Sequence, residues 1–243
     1  MPAGQIYHTS HCGSTLLAAM IAPCLDVYTE PSWSHRIVQK LTDDYSTKIN
    51  AYKESDVVKL PSGLCHHAAE TDGLKVFIYR KLRHHLMEMF LNGLHYQVDY
   101  YFESMFSDHK HPELQHMNPI SLAEKHCFLW LNRVSWMQDA KNVLWIEAND
   151  YFASAVERSR DVVSYFGGKH PENVQLIVRD VKDLGCNHND TPLRKDLPFV
   201  RHGAFRHPAS AIMYDEIVAQ DDGINELARW AASYAPSIDQ SLV

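Results

Sequence analysis

The residues best suited to chemistry lie near the start of the chain, in the stretch His11, Cys12, Gly13, Ser14, Thr15. The run at 5–9 before it predicts a short strand, and the apolar run at 16–21 after it predicts a buried helix. A tight loop between a strand and a helix directs free backbone N–H groups at an anion. Gly13 lets the backbone approach a ligand closely, and the hydroxyl groups of Ser14 and Thr15 add donors. The stretch therefore predicts an anion-binding loop; an ordinary turn without a ligand is the alternative.

The loop lacks the lysine with which nucleoside triphosphatases reach the β- and γ-phosphates. Their motif reads G-x-x-x-x-G-K-[ST]. With Gly13 as its second glycine, the first glycine is replaced by His8 and the lysine by Ser14. The sequence therefore disfavours a magnesium-dependent nucleoside triphosphatase.

Strands that alternate with helices must hold this loop. Apolar runs that predict strands lie at 5–9, 27–29, 56–60, 75–80, 142–147 and 174–178. Helical patterns lie at 35–55, 81–90, 121–138, 149–166 and 224–234. Such alternation predicts a three-layer α/β domain with a mostly parallel central sheet flanked by helices. We expect a single domain over 1–243, with an aromatic and histidine-rich helical insertion near 91–118.

The loop resembles the 5′-phosphosulfate-binding loop of the bacterial and Golgi-type sulfotransferases, which belong to the P-loop superfamily. That loop is usually a basic residue followed by S-G-[ST]-[ST]. Residues 11–15 fill its five positions, with His11 in place of the lysine or arginine. The resemblance extends over 5–31, 56–90 and 142–167. It implies a sulfotransferase-like P-loop domain whose N–H groups at 12–15, with His11, hold the 5′-phosphosulfate of the donor and stabilise charge on the leaving phosphate.

The resemblance also implies a site for a 3′-phosphate, where a strand runs through an arginine into a helix. Arg80 takes the arginine position and Arg83 a second one; a guanidinium suits this role because it binds phosphate bidentately. The family's serine, eight residues after the arginine, is Glu88 here, and its carboxylate would repel a phosphate. Either Glu88 turns away, or the donor lacks that phosphate, or Lys81 and His84 screen it.

A general base is the third requirement, because an acceptor hydroxyl must lose its proton as it attacks sulfur. Glu30 is the candidate, since a glutamate in this region serves some sulfotransferases. The alternative is a residue at the start of a helix, with Ser32 or Ser34 as the cap. Lys59 matches a V-[VL]-K-x-P pattern of the family and either faces the ligand or reaches solvent from the end of its strand.

The rest of the site is implied by the resemblance alone. A late basic loop closes the nucleotide site in the family, and Arg201 with Gly203 and Arg206 matches it; a solvated loop is the alternative. The implied donor is 3′-phosphoadenylyl sulfate, with 3′,5′-bisphosphoadenosine as the product. No metal is required, and the expected acceptor is a small molecule or saccharide. The histidines near 91–118 show no recognisable ligand spacing for a metal.

Composition narrows the possible partners. The net charge of −7 shows no basic excess, so we expect no nucleic-acid partner. The five cysteines are odd in number and lack a C-x-x-C pair, which fits reduced thiols in the cytoplasm. No apolar run reaches the roughly 18 residues of a membrane span, and 16–21 is too short for a signal peptide.

Two other functions stay open on the sequence. One is a kinase of the same fold acting on a small molecule, which would need magnesium and the lysine that the loop lacks. The other is a non-catalytic binding protein that keeps the sheet without the chemistry, an idea that His11 and Glu88 favour.

Overall fold

A five-stranded parallel sheet forms the centre of the protein in the computed structural model, which describes residues 4–41, 43–91, 96–174 and 220–243. The strands are β1 Gly4–His8, β2 Asp26–Thr29, β3 Asp56–Lys59, β4 Lys75–Tyr79 and β5 Val143–Glu147. Their order is β2-β3-β1-β4-β5, and every neighbouring pair is parallel. The expected α/β class with a mostly parallel sheet is confirmed. The strand expected at 174–178 lies outside the described residues except for Val174, which is not in a strand.

Helices cover both faces of this sheet. The α-helices of the described ranges are α1 Ser14–Ile21, α2 Ser32–Val38, α3 Tyr45–Asn50, α4 Leu82–Leu91, α5 Tyr96–Ser107, α6 Leu122–Asp139, α7 Ala148–Ala153, α8 Ala155–Tyr165 and α9 Asp222–Ala232. A 3₁₀-helix at Ser62–Glu70 follows β3, and shorter ones lie at Pro112–Leu114, Pro171–Asn173 and Gln240–Leu242.

Two of the predicted helices are interrupted. The segment expected to be helical over 35–55 forms α2 and α3, because Lys40 adopts a left-handed φ of 59° after α2 and Asp44 caps α3 through Ser46 N. The segment expected over 149–166 breaks at Ser154, whose φ of −140° is not helical, into α7 and α8.

The two apolar cores follow from the alternation of side chains along the strands. Ile6 of β1 packs into the core formed with α1 and α8, whereas Tyr7 faces the opposite core, formed with α4, α5 and α6. Both side chains are fully buried. Strands covered on both faces need such continuous apolar runs, and this is why the short runs of the sequence predict the sheet correctly.

Helix α6 is buried along an unbroken run from His126 to Ser135. It begins with a capping box, in which Ser121 Oγ accepts from Glu124 N and the Glu124 carboxylate accepts from Ser121 N. The region expected as an insertion packs on α6: Tyr101 and Met105 of α5 are buried, and Phe102 meets Phe128 edge-to-face. Helix α5 therefore forms part of a core.

Candidate active site

The parallel arrangement brings the carboxyl ends of the strands to one edge of the sheet, where open α/β proteins bind ligands. The loop at 9–13 follows β1, Glu30 follows β2, and Lys59 ends β3. Arg80 follows β4, and Glu147 ends β5. The register places His8 of β1 beside Ile78 of β4, and Thr9 N donates to Ile78 O over 3.2 Å.

The loop after β1 is a compact turn rich in left-handed residues. Ser10, His11 and Gly13 have φ angles of 75°, 48° and 91°. Ser10 N donates to His8 Nδ1 over 3.0 Å, and Ser10 Oγ donates to Ser62 Oγ over 2.6 Å. Helix α1 begins directly after Gly13, so the N–H groups of its first turn have no partner within the helix. Successive turns of this kind form a concave anion-binding surface.

The predicted loop residues differ in what they offer. His11 is exposed, Gly13 and Thr15 are partly exposed, and Ser14 is buried. Cys12 is fully buried, its thiol donates to Ile78 O, and burial raises the pKa of that thiol. Cys12 can therefore serve a ligand through its backbone N–H and not through its side chain.

Arg80 lies directly behind this loop and is buried, with 1% of the residue exposed. Its Nη2 donates to His11 O over 3.0 Å. Its Nη1 lies 3.6 Å from Glu88 Oε2, and Glu88 is also buried. Glu88 therefore does not turn away from the arginine. Arg83 is half-buried on α4, while Arg201 falls outside the described residues.

Trp130 and Thr9 hold the backbone of Arg80. Trp130 Nε1 donates to Arg80 O over 2.7 Å, and Arg80 N donates to Thr9 Oγ1 over 3.1 Å. The ring of Phe152 lies 6.0 Å from the guanidinium carbon. The arginine at the end of β4 is therefore fixed on several sides against the loop.

A second charged cluster surrounds Glu30. Lys59 Nζ donates to Glu30 Oε1, His35 Nε2 lies 3.3 Å from Glu30 Oε2, and His8 Nε2 lies 4.0 Å from Glu30 Oε1. Burial would raise the pKa of Glu30, but the charge of Lys59 and the hydrogen bond with His35 hold that pKa well below the usual range. Glu30 is therefore a carboxylate at neutral pH. Lys59 is 2% exposed, so the alternative in which it reaches solvent is wrong.

His8 and the backbone of Glu30 are both constrained. Burial and then Lys59 lower the pKa of His8 well below its ordinary value, so the ring is neutral. Because Nδ1 accepts from Ser10 N, the proton of the neutral ring is on Nε2, the atom nearest Glu30. Glu30 has a left-handed φ of 46°, which strains a residue with a side chain.

Arg133 of α6 is the main site residue that the sequence analysis missed. Its guanidinium is buried, donating from Nε to Ser62 O over 3.0 Å and from Nη1 to Thr9 O over 3.3 Å. It also lies 5.3 Å from the ring of Tyr101. The available signal was an arginine within the apolar pattern of α6, where a charge needs a buried partner.

Three histidine rings lie close together, two from the 3₁₀-helix at Ser62–Glu70 and one, His109, from the histidine-rich region near 91–118. The ring of His66 lies 3.8 Å from that of His109 and 4.0 Å from that of His67. Burial lowers the pKa of His66 to about 2, so this ring is neutral. Within the described ranges, no group of three or more histidine, cysteine, aspartate or glutamate side chains could hold a metal ion. The same ranges contain no helix long and apolar enough to cross a bilayer.

Comparison with solved structures identifies the type of fold. The sulfotransferase domain from the curacin biosynthetic pathway superposes with a TM-score of 0.53 and 11% identity, covering 96% of this chain and 98% of that one. The chain has a sulfotransferase-like fold. A weaker likeness, with a TM-score of 0.46 and 12% identity over 92% of this chain and 94% of the other, is to a sulfotransferase from Alicyclobacillus acidocaldarius. No family model and no curated protein matches the sequence.

The sulfotransferase-like fold places most of the predicted residues at one edge. The loop at 11–15 and Arg80 contact each other directly through the hydrogen bond to His11 O. Glu30 and Lys59 form a separate pair, joined to the loop through His8 and Ser10. The structure thus brings a left-handed turn, buried cations and a carboxylate together at one edge of the sheet.

Gly13 should tolerate no side chain. In Gly13→Ala, the added Cβ would lie 2.8 Å from Phe152 Cζ at a φ of 91°. We expect a loss of about 1–3 kcal/mol in unfolding free energy from the strained backbone. If the loop binds sulfate, added sulfate should raise the Tm of the wild type and should not raise that of Gly13→Ala. Denaturant unfolding and thermal melts with sulfate measure both. Gly167→Ala is the matched control, because the φ of Gly167, 71°, is also left-handed but no atom lies within 4 Å of the added Cβ. An equal effect of sulfate on the Tm of the two variants would contradict a binding role for the loop.

Glu30 should stabilise the fold in a pH-dependent way. A carboxylate whose folded pKa is depressed adds stability above its ordinary pKa of 4.5 and loses it as the pH falls through the lower folded value. Glu30→Gln should cost about 3–5 kcal/mol at pH 7, because Lys59 then stays buried without a counter-charge, and its stability should change less between pH 5 and 3. Denaturant unfolding across this range tests it. Glu157→Gln, at an exposed position on α8, serves as the control. If the unfolding free energy of Glu30→Gln falls between pH 5 and 3 as much as that of the wild type, the expectation is refuted.

Proposed function

We propose that the chain transfers a sulfuryl group from 3′-phosphoadenylyl sulfate to a hydroxyl or amine of an acceptor. The observation that carries the proposal is the left-handed turn at Ser10–Gly13, which opens α1 at the carboxyl edge of a sulfotransferase-like sheet. A turn of this form binds a phosphate or sulfate through backbone N–H groups and the helix dipole. The carboxylate needed to deprotonate an acceptor, Glu30, lies at the same edge.

The proposed reaction is an in-line displacement at sulfur. The acceptor oxygen or nitrogen forms a bond to sulfur while the bond from sulfur to the bridging phosphate oxygen breaks, and Glu30 takes the acceptor proton. The leaving phosphate gains negative charge, which N–H groups of 12–15 and the side chains of His11 and Ser14 would stabilise. No metal takes part in this scheme. Because Glu30 is held as a carboxylate, it is in the protonation state that can accept the proton of the acceptor.

The acceptor would approach from α5. Tyr100 Oη lies 3.3 Å from His35 Nδ1, and His35 in turn contacts Glu30. Tyr100 is 37% exposed and meets Tyr101 edge-to-face. Aromatic surface beside a base suits the apolar face of a small molecule or a saccharide ring, which is the acceptor class that we propose.

Nucleotide binding separates this function from its two rivals. We expect isothermal titration calorimetry to show binding of adenosine 3′,5′-bisphosphate without magnesium, because the loop offers N–H groups and no lysine. Binding of ATP with magnesium alone would instead indicate a kinase. Binding of neither nucleotide would indicate a non-catalytic protein and reject the proposal.

His11 should make anion binding depend on pH. A histidine side chain loses its charge across the neutral range, so affinity for adenosine 3′,5′-bisphosphate should fall as the pH rises from about 6 to 8. His11→Lys, which stays charged over this range, should flatten the profile. His116→Lys adds the same charge at an exposed position outside the loop and serves as the control. An identical pH profile in His11→Lys and the wild type would remove His11 from the site.

A further inference from the structure

The charge of Arg80 is balanced within the fold by a buried carboxylate. The guanidinium is 1% exposed, and the carboxylate of Glu88, itself 3% exposed, lies 3.6 Å from Nη1. A buried pair of opposite charges is close to neutral as a unit, and neither member can leave without stranding the other. A phosphate brought to this guanidinium would also meet the Glu88 carboxylate, whose charge has the same sign as its own.

The contact with His11 determines on which side of the loop Arg80 lies. Arg80 Nη2 donates to the carbonyl oxygen of His11. In a planar trans peptide the C=O of one residue and the N–H of the next point in opposite directions. The N–H of Cys12 therefore points away from the guanidinium. Arg80 holds the carbonyl side of this peptide, and an anion bound by Cys12 N–H would lie on the other side.

The backbone of Arg80 is tied to the same loop. Its N–H donates to Thr9 Oγ1, and its carbonyl accepts from Trp130. A third group, Arg133, holds Thr9 O from α6. Two buried guanidinium groups thus hold two loop carbonyls, at Thr9 and at His11. Carbonyl oxygens fixed in this way are kept from turning toward a bound anion, which they would repel.

We propose that Arg80 is a positioning residue for the loop and that the nucleotide is recognised by its 5′ anion without a requirement for a phosphate on the 3′ hydroxyl. The 3′-phosphate is not required because Glu88 balances the charge of Arg80 within the fold. The inference rests on the proposed function, which supplies the adenosine nucleotide. It widens the donor class to nucleoside 5′-phosphosulfates with a free 3′ hydroxyl.

The test compares two nucleotides on the full chain. Calorimetry should give dissociation constants for adenosine 5′-monophosphate and adenosine 3′,5′-bisphosphate that agree within about threefold, since a charge-assisted contact to a second phosphate would add about tenfold or more. A preference of tenfold or more for the bisphosphate overturns the inference and leaves the proposed function standing. Binding of neither nucleotide overturns the proposed function and this inference with it.

Two variants test whether the pairing of Glu88 with Arg80 removes the preference for a 3′-phosphate. Glu88→Gln removes the carboxylate charge with little change of shape and should raise the preference for the bisphosphate by about tenfold; Glu103→Gln, exposed on α5, is the matched control. Arg80→Lys should weaken binding of both nucleotides by the same factor, as expected of a residue that positions the loop. A loss confined to the bisphosphate would show that Arg80 binds the 3′-phosphate and would overturn the proposal. If either variant fails to fold, the wild-type comparison decides.

Discussion

The contacts of Thr9 are the constraint on which the candidate site depends. Thr9 follows β1 at the point where the chain leaves the sheet, and both of its oxygens are used: Oγ1 accepts from Arg80 N and the carbonyl accepts from Arg133. These bonds join β1, β4 and α6 at one residue that is fully buried. The left-handed turn at Ser10–Gly13 follows directly, so these bonds fix the point at which its strained backbone begins.

Buried charges at this edge are paired in different ways. Glu30 is held by Lys59, and Glu88 by Arg80. Arg133 instead rests on the carbonyls of Thr9 and Ser62 and on the ring of Tyr101. Each arrangement costs desolvation, and each joins a buried side chain to a specific partner. The edge is therefore preorganised, which is the property that electrostatic stabilisation of a developing charge requires.

Local patterns in the sequence were sufficient to predict the fold and the turn between β1 and α1. The alternation of apolar runs predicted the parallel sheet, and small residues between β1 and α1 predicted the turn that the structure contains. Pairings between distant segments were not predictable in the same way. The sequence predicted that the Glu88 carboxylate would repel a phosphate. It could not show that Glu88 faces Arg80, because this depends on the orientation of α4 relative to β4. The role of Arg133 depends on α6 packing behind the loop, which no local pattern encodes. The packing of α5 on α6 was likewise not predictable, because it depends on contacts between separate helices.

The left-handed backbone of Glu30 has a consequence for the evolution of this chain. A glycine or asparagine at that position would relax the φ of 46°, yet either would remove the only carboxylate that contacts Lys59 in the described part of the chain. Relief of the backbone strain and retention of the partner of Lys59 therefore oppose each other at this residue. The strained glutamate is kept because the relaxed alternatives would leave the buried ammonium group of Lys59 without a counter-charge.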